Sequence, residues 1–171
     1  MSLSVESLLE SWDGRSVEPF QLAADIVPQD PAALGDLLRL ARAGSAVVEV
    51  GATWVLKHHL ERGVVCDART TGSLIRIIGS CRRDESRLHL LQCLPFVRLT
   101  SAQATRLHGT LLDHLDANNA FVRAWVYNGL GLLVLHDARY RREVLALFER
   151  ANASETAAVR ARIRNISKEF P

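Results

Sequence analysis

The residues with the widest chemical repertoire in this chain are six histidines and three cysteines, and their spacing argues against a metal centre. His58 and His59 are adjacent, so on a helix they point about 100° apart and do not readily share an ion. His108 and His114 are six positions apart, which is also poor for one ion. The sequence has no HExxH, no CxxC and no close Cys/His cluster. Cys66, Cys81 and Cys93 form an odd set without close pairing, which reads as reduced thiols rather than a disulfide framework. The glycine patterns of P-loops, dinucleotide folds and hydrolase elbows are missing too. The sequence therefore assigns no catalytic residue, no metal ligand and no cofactor.

Cations are the second set with chemistry to offer. Arg123 is followed four residues on by Tyr127 and then Gly131; Arg160 is followed in the same way by Arg164 and Lys168. Further upstream Glu49, Thr53, Lys57 and Glu61 keep the same step, as do His89, Cys93 and Val97. Steps of four hold such residues on one stripe of a helix. Read as an outward ridge, the stripes grade from mixed charge to basic, and Arg139, Arg141 and Arg142 add to the basic end. A basic strip beside Tyr127 suits a phosphate backbone or an acidic protein segment. The plainer reading is a solvated face on a terminal repeat, with Lys168 suited to a helix C-terminus. The net charge of +2 does not decide between them.

The elements that carry these stripes are helices. Strand alternation and Asn-Gly or Asp-Gly hairpin turns are lacking. Asp30 before Pro31, with Gly44 as a stop, frames one helix. "TSAQ" at 100–103 is a capping box. Asp84 precedes "ESRLHLLQCL" and Asn118 precedes "NAFVRAWVYNGLGLL". The spacing predicts short helices over 3–11 and 18–27. Longer ones follow over 31–42, 46–62, 68–80, 85–97, 101–115, 119–135, 139–150 and 155–169.

The last eight helices pair into hairpins. Aligning each second helix on Val48, Leu88, Val122 and Val159 gives separations of about 40, 34 and 37 residues, within the window for helical arrays. A hairpin cannot bury both faces alone, so interior helices must be apolar on more than one side. Val122, Val126, Gly129 and Leu133 form one such face, and Phe121, Trp125 and Leu132 an adjacent one. Both are expected to be covered. Gly109, Gly129 and Gly131 are expected to allow close helix approach.

Asp116 in an inter-helix turn, "FVRAW" with Val122 and Arg123, and "AAVRARI" with Val159 and Arg160 carry a resemblance to the HEAT-repeat family. It spans residues 29–171 and is strongest in the third unit. Glu49 and His89 stand where the earlier units would have the arginine. The resemblance implies an α-solenoid whose second helices line a concave binding surface, and a pairing of Arg123 with Asp116. The alternative use of Arg123 is contact with an anionic partner. The bacterial alkylpurine DNA glycosylases of the AlkD type are similar in architecture, but their aromatic, Asp and Arg constellation has no recognisable copy here. Asp113 and Trp125 match by residue type alone and take no catalytic role.

The sequence thus reads as all-α. About four hairpins (29–63, 64–97, 98–136, 137–171) form one continuous domain behind an N-terminal helical cap at 1–28. It reads as a non-catalytic scaffold for a protein partner, with Tyr127, Arg160, Arg164, Lys168, Arg123 and Lys57 as binding residues. The alternative is nucleic-acid binding on the basic C-terminal ridge, extending to a DNA glycosylase activity of the AlkD type. No apolar run approaches the ~20 residues that span a bilayer, and no signal peptide opens the chain, so a cytoplasmic location without membrane contact is expected.

Overall fold

Helix starts in this chain are set by short polar side chains. The computed structural model describes residues 4–171. Ser4 opens α1 (Val5–Glu10), and α2 spans Glu18–Ile26. Asp30 accepts the Ala33 N–H at 2.9 Å and opens α3 (Pro31–Ala43). Ser45 caps α4 (Ala46–Glu61), and Asp67 caps α5 (Ala68–Ser80). The next helix, α6, spans Asp84–Cys93. Thr100 and Gln103 form the expected capping box of α7 (Ser101–Leu112). Asn119 caps α8 (Ala120–His136), α9 spans Arg141–Ser154, and Thr156 caps α10 (Ala157–Ser167). Each such cap satisfies an N–H that the first helical turn leaves free.

The elements match the sequence reading closely, with local differences that have physical causes. Asp84 is the first residue of α6 rather than its cap. Asn119, not Asn118, accepts the Phe121 and Val122 N–H groups. The sixth helix stops at Cys93 because Pro95 removes a donor, and Leu94–Phe96 tightens into a 3-10 turn. The segment expected at 3–11 begins in part outside the described residues. Among those residues there is no strand, and no helix is long and apolar enough to cross a membrane.

Internal contacts divide the chain into two compact units, the first ending at Arg98 and the second spanning Leu99–Pro171. In the first, α3 packs on α4 and α5 on α6; α4 also packs on α6 and α3 on α5. Helix α4 is accordingly apolar nearly all round, burying Val48, Val50, Val55, Leu56 and Leu60. The expected N-terminal cap region rests on α4 as well, since α1 and α2 both contact it. Trp12 packs on Phe20 with ring centroids 5.0 Å apart, and Phe20 on Trp54 at 6.0 Å. In the second unit, α8 packs most extensively on α10 and also contacts α7 and α9. Val122, Val126 and Leu133 are buried as expected.

Two glycines act as notches where helices close on one another. A Cβ on Gly51 would lie 2.7 Å from both Leu9 and Phe20 side chains, so the N-terminal segment seats only on a bare backbone. A Cβ on Gly131 would lie 2.3 Å from Ile166 of α10. Gly109 differs from the sequence expectation, because a Cβ there meets open space. Gly131→Ala is therefore expected to destabilise the second unit by about 1–3 kcal/mol through overpacking. Gly109→Ala should instead stabilise it by up to about 1 kcal/mol through helix propensity. Urea unfolding midpoints of the two variants should move in opposite directions; a neutral Gly131→Ala would refute the notch.

Candidate interaction surface

The arginine that follows Val122 is a fastener. Arg123 Nε and Nη2 donate to the two carboxylate oxygens of Glu155 at 2.9 and 3.1 Å, while Nη1 donates to the Ala117 and Asn118 carbonyls at 2.7 and 3.2 Å. Both side chains are largely buried, at 17% and 15% exposure. The expected partner, Asp116, is replaced by an acid of the next hairpin turn, because Glu155 lies directly before α10 and matches the planar fork of the guanidinium. Glu155 also holds Arg123 charged more firmly than an ordinary arginine.

The same slot in the first unit carries the opposite sign. Glu49, next to the anchor Val48, is 3% exposed. Its carboxylate accepts the Arg82 and Arg83 backbone N–H groups at 2.9 and 3.2 Å and Arg82 Nε at 3.0 Å. Arg82 Nη2 then donates to the Gly44 carbonyl at 2.7 Å. The departure of Glu49 from the repeat pattern is thus an ion pair with its ends exchanged. The helix carries the acid and the following turn carries the base. Arg87 repeats the carbonyl half of this device on Ile78 and Cys81, at 3.1 and 3.0 Å. Arg160 does so on Glu155 O at 2.6 Å.

These contacts correct the outward ridge. Glu49, Thr53, Cys93 and Tyr127 lie on the stripes but are buried. Tyr127 is 7% exposed, and burial pushes its phenol up from the ordinary value. It packs edge-on against Phe148 at 6.1 Å and is a core residue. Arg123 and Arg160 are committed to turn carbonyls and Glu155. Lys57 Nζ is 3.0 Å from Glu61 and only 19% exposed. Of the six, only Arg164 on α10 and Lys168 at its C-terminal end are exposed. Up to Tyr127 and Gly131 the stripes meet neighbouring turns and helices rather than facing outward, and step-of-four spacing does not distinguish these two directions.

What α8 presents outward is the face expected to be covered. Phe121 is 64% exposed and Leu135 42%, with Trp125 and Leu132 partly exposed between them. Arg162 of α10 lies over the Trp125 ring, 4.0 Å from its centroid. Sequence reasoning passed over Arg162 because it falls off the step-of-four stripe; its position three residues after Val159 was the available signal. The first unit shows a related but more polar face, with Trp54 stacked on His58 at 5.1 Å and His89 nearby. Thr53 Oγ1 lies 3.2 Å from His89 Nδ1. Burial, and then the nearby Lys57, depress the His89 imidazole to about 4. No group of side chains able to hold a metal ion occurs among the described residues.

No protein-family model matches this chain, and neither a curated protein nor a solved structure matches it.

Two outcomes follow for stability. Arg123→Ala strands a part-buried carboxylate and two carbonyls, and should cost about 1.5–3 kcal/mol in urea unfolding. An unchanged midpoint would show that the pair fastens nothing. The folded His89 binds its proton only near pH 4, whereas the unfolded chain does so near 6.5, so the unfolded state takes up the proton first as pH falls. Stability should drop between pH 6.5 and 4. His59, depressed chiefly by burial, acts in the same direction. His89→Gln should flatten part of this slope, and an unaltered slope would count against the assignment.

Proposed function

We propose that the protein is a non-catalytic, HEAT-like α-solenoid scaffold that binds a protein partner through its second helices. Two features support the HEAT-like reading. Within each unit, second helices pack on second helices, and a charged residue beside the apolar anchor of the first of them, Glu49 on α4 and Arg123 on α8, ties that helix to the next hairpin turn. The observation that carries the binding role is the open face of Phe121, Trp125 and Leu135, with Arg162 lying over Trp125. Exposed aromatic rings beside a guanidinium are the residue types that dominate protein interfaces. Arg162 has no carboxylate partner among the described residues, so it is available to an acidic group on the incoming chain. The partner segment would pair an aliphatic or aromatic side chain with a carboxylate. No cofactor is needed for this role.

The nucleic-acid alternative rests on Arg142, Arg164 and Lys168, which are exposed. Peptides selected on the folded protein from a random display library would separate the two. Selected peptides should combine acidic and large apolar residues, and should lose at least tenfold in affinity to Trp125→Ala or Arg162→Glu, about 1.4 kcal/mol or more. Arg164→Glu should leave them unchanged. Selected peptides indifferent to both Trp125 and Arg162 would refute the site. Steeply salt-dependent duplex DNA binding, lost on Arg164→Glu with Lys168→Glu, would replace this reading by the alternative.

A further inference from the structure

The first helices of the first unit, α3 and α5, pack side by side and enclose a trough of about 530 Å³. Its rim carries Arg39 and Arg42 from α3 and Arg69 and Arg76 from α5. Between them lie small groups, Ala32 and Gly35 of α3 and Thr70 and Ser73 of α5; a Cβ on Gly35 would stand 3.9 Å from Thr70 Oγ1. Helical geometry explains the juxtaposition. Positions 32, 35, 39 and 42 share one side of α3, and 69, 73 and 76 one side of α5.

We propose that this trough binds a compact ligand carrying two or more phosphate groups. Four guanidiniums on two facing ridges are a fork geometry suited to phosphate oxygens. Two of them have a partner on their own helix. Arg76 Nη2 donates to Ser73 Oγ at 2.8 Å, and Arg39 pairs with Asp36 one turn away. Arg42 and Arg69 have no ion-pair partner at bonding distance among the described residues. Arg69 lies in the first turn of α5, where the helix field disfavours a cation, and the charge nearest it in that turn is the cap Asp67. The two acids of the trough are already engaged: Asp36 by Arg39, and Asp67 by the Thr70 N–H at 2.6 Å, which draws its carboxyl below the usual value.

The lining narrows the ligand class. It contains no aromatic ring, so it offers no platform for a stacked base, which disfavours single-stranded nucleic acid. It also lacks the large apolar anchors that hold protein segments. Its volume lies within the range of small-molecule sites, larger than one phosphate requires. Arg69 and Arg76 are two helical turns apart, roughly 10 Å along the axis, so the charge is spread along the trough and suits separated or chained phosphates. The site is independent of the α8–α10 face, since it uses other helices of the other unit.

Calorimetric titration of the full chain with tripolyphosphate, a hexose bisphosphate and orthophosphate tests this. One of the first two should bind at least tenfold more tightly than orthophosphate; which one does so tells a phosphate chain from two separated groups. Arg69→Ala and Arg76→Ala should each weaken that binding about tenfold. Both side chains are exposed, so an unchanged circular dichroism spectrum should accompany the loss. Arg164→Ala, in the second unit, should leave binding intact. Equal weak binding of all three probes would overturn the proposal. So would indifference to both trough variants, an equal loss with Arg164→Ala, or tighter binding of a single-stranded oligonucleotide.

Discussion

A charged side chain beside the apolar anchor of a second helix, reaching into the turn before the next second helix, is the constraint on which each unit depends. Hairpin turns end helices, and helix ends expose carbonyls that must be satisfied when apolar helices crowd around them. Arg123 satisfies two carbonyls of the turn before α8 and binds Glu155 with the same guanidinium. Glu49 performs the reciprocal task on Arg82, whose guanidinium goes on to Gly44 O. The pairing fixes the rotation of one second helix relative to the turn that launches the next. That rotation decides which face of α8 or α4 is sealed and which is left open.

The glycine notches convert this angular restraint into contact. At Gly131 the backbone of α8 receives Ile166, and at Gly51 the backbone of α4 receives Leu9 and Phe20. Close approach at these points lets short side chains fill the interface, which is why α4 and α8 bury Val, Ala and Leu on several sides. With α10 drawn down on α8, Arg162 comes within reach of Trp125. The open face is thus a by-product of how tightly the two helices close.

Much of the architecture was legible in the sequence because it is written in local chemistry. Asp30 with Pro31, the Thr100–Gln103 box and the turn-forming residues mark helix ends that need no tertiary information. The buried stripe of Val122, Val126 and Leu133 follows from helical period alone. What the sequence does not encode locally is direction. Glu49, Cys93 and Tyr127 share the period of an outward ridge, yet they sit on the stripe that meets neighbouring turns and helices. Phe121 shares a period with Trp125 and Leu132 on a face expected to be covered, yet it stands in solvent. The exchange of acid and base between the Glu49 and Arg123 slots was also hidden. A pattern of residue types records Arg as present or absent, whereas the physical requirement is an ion pair of either polarity.

The distribution of arginine across the chain then separates structure from surface. Arg82, Arg87, Arg123 and Arg160 each donate to backbone carbonyls within their own unit, and removing any of them would leave acceptors behind. Arg162, Arg42 and Arg69 make no such bond among the described residues, and they lie beside an exposed ring or around a trough of small side chains. A guanidinium held over Trp125 gives up little hydration and keeps its in-plane N–H groups free, so it remains competent to bind an oxyanion while its ring contact restricts its motion. Preorganisation of that kind lowers the entropy lost on association. The turn-fastening arginines have already committed their donors. On physical grounds, then, the cations suited to a ligand are those whose donors the fold leaves uncommitted.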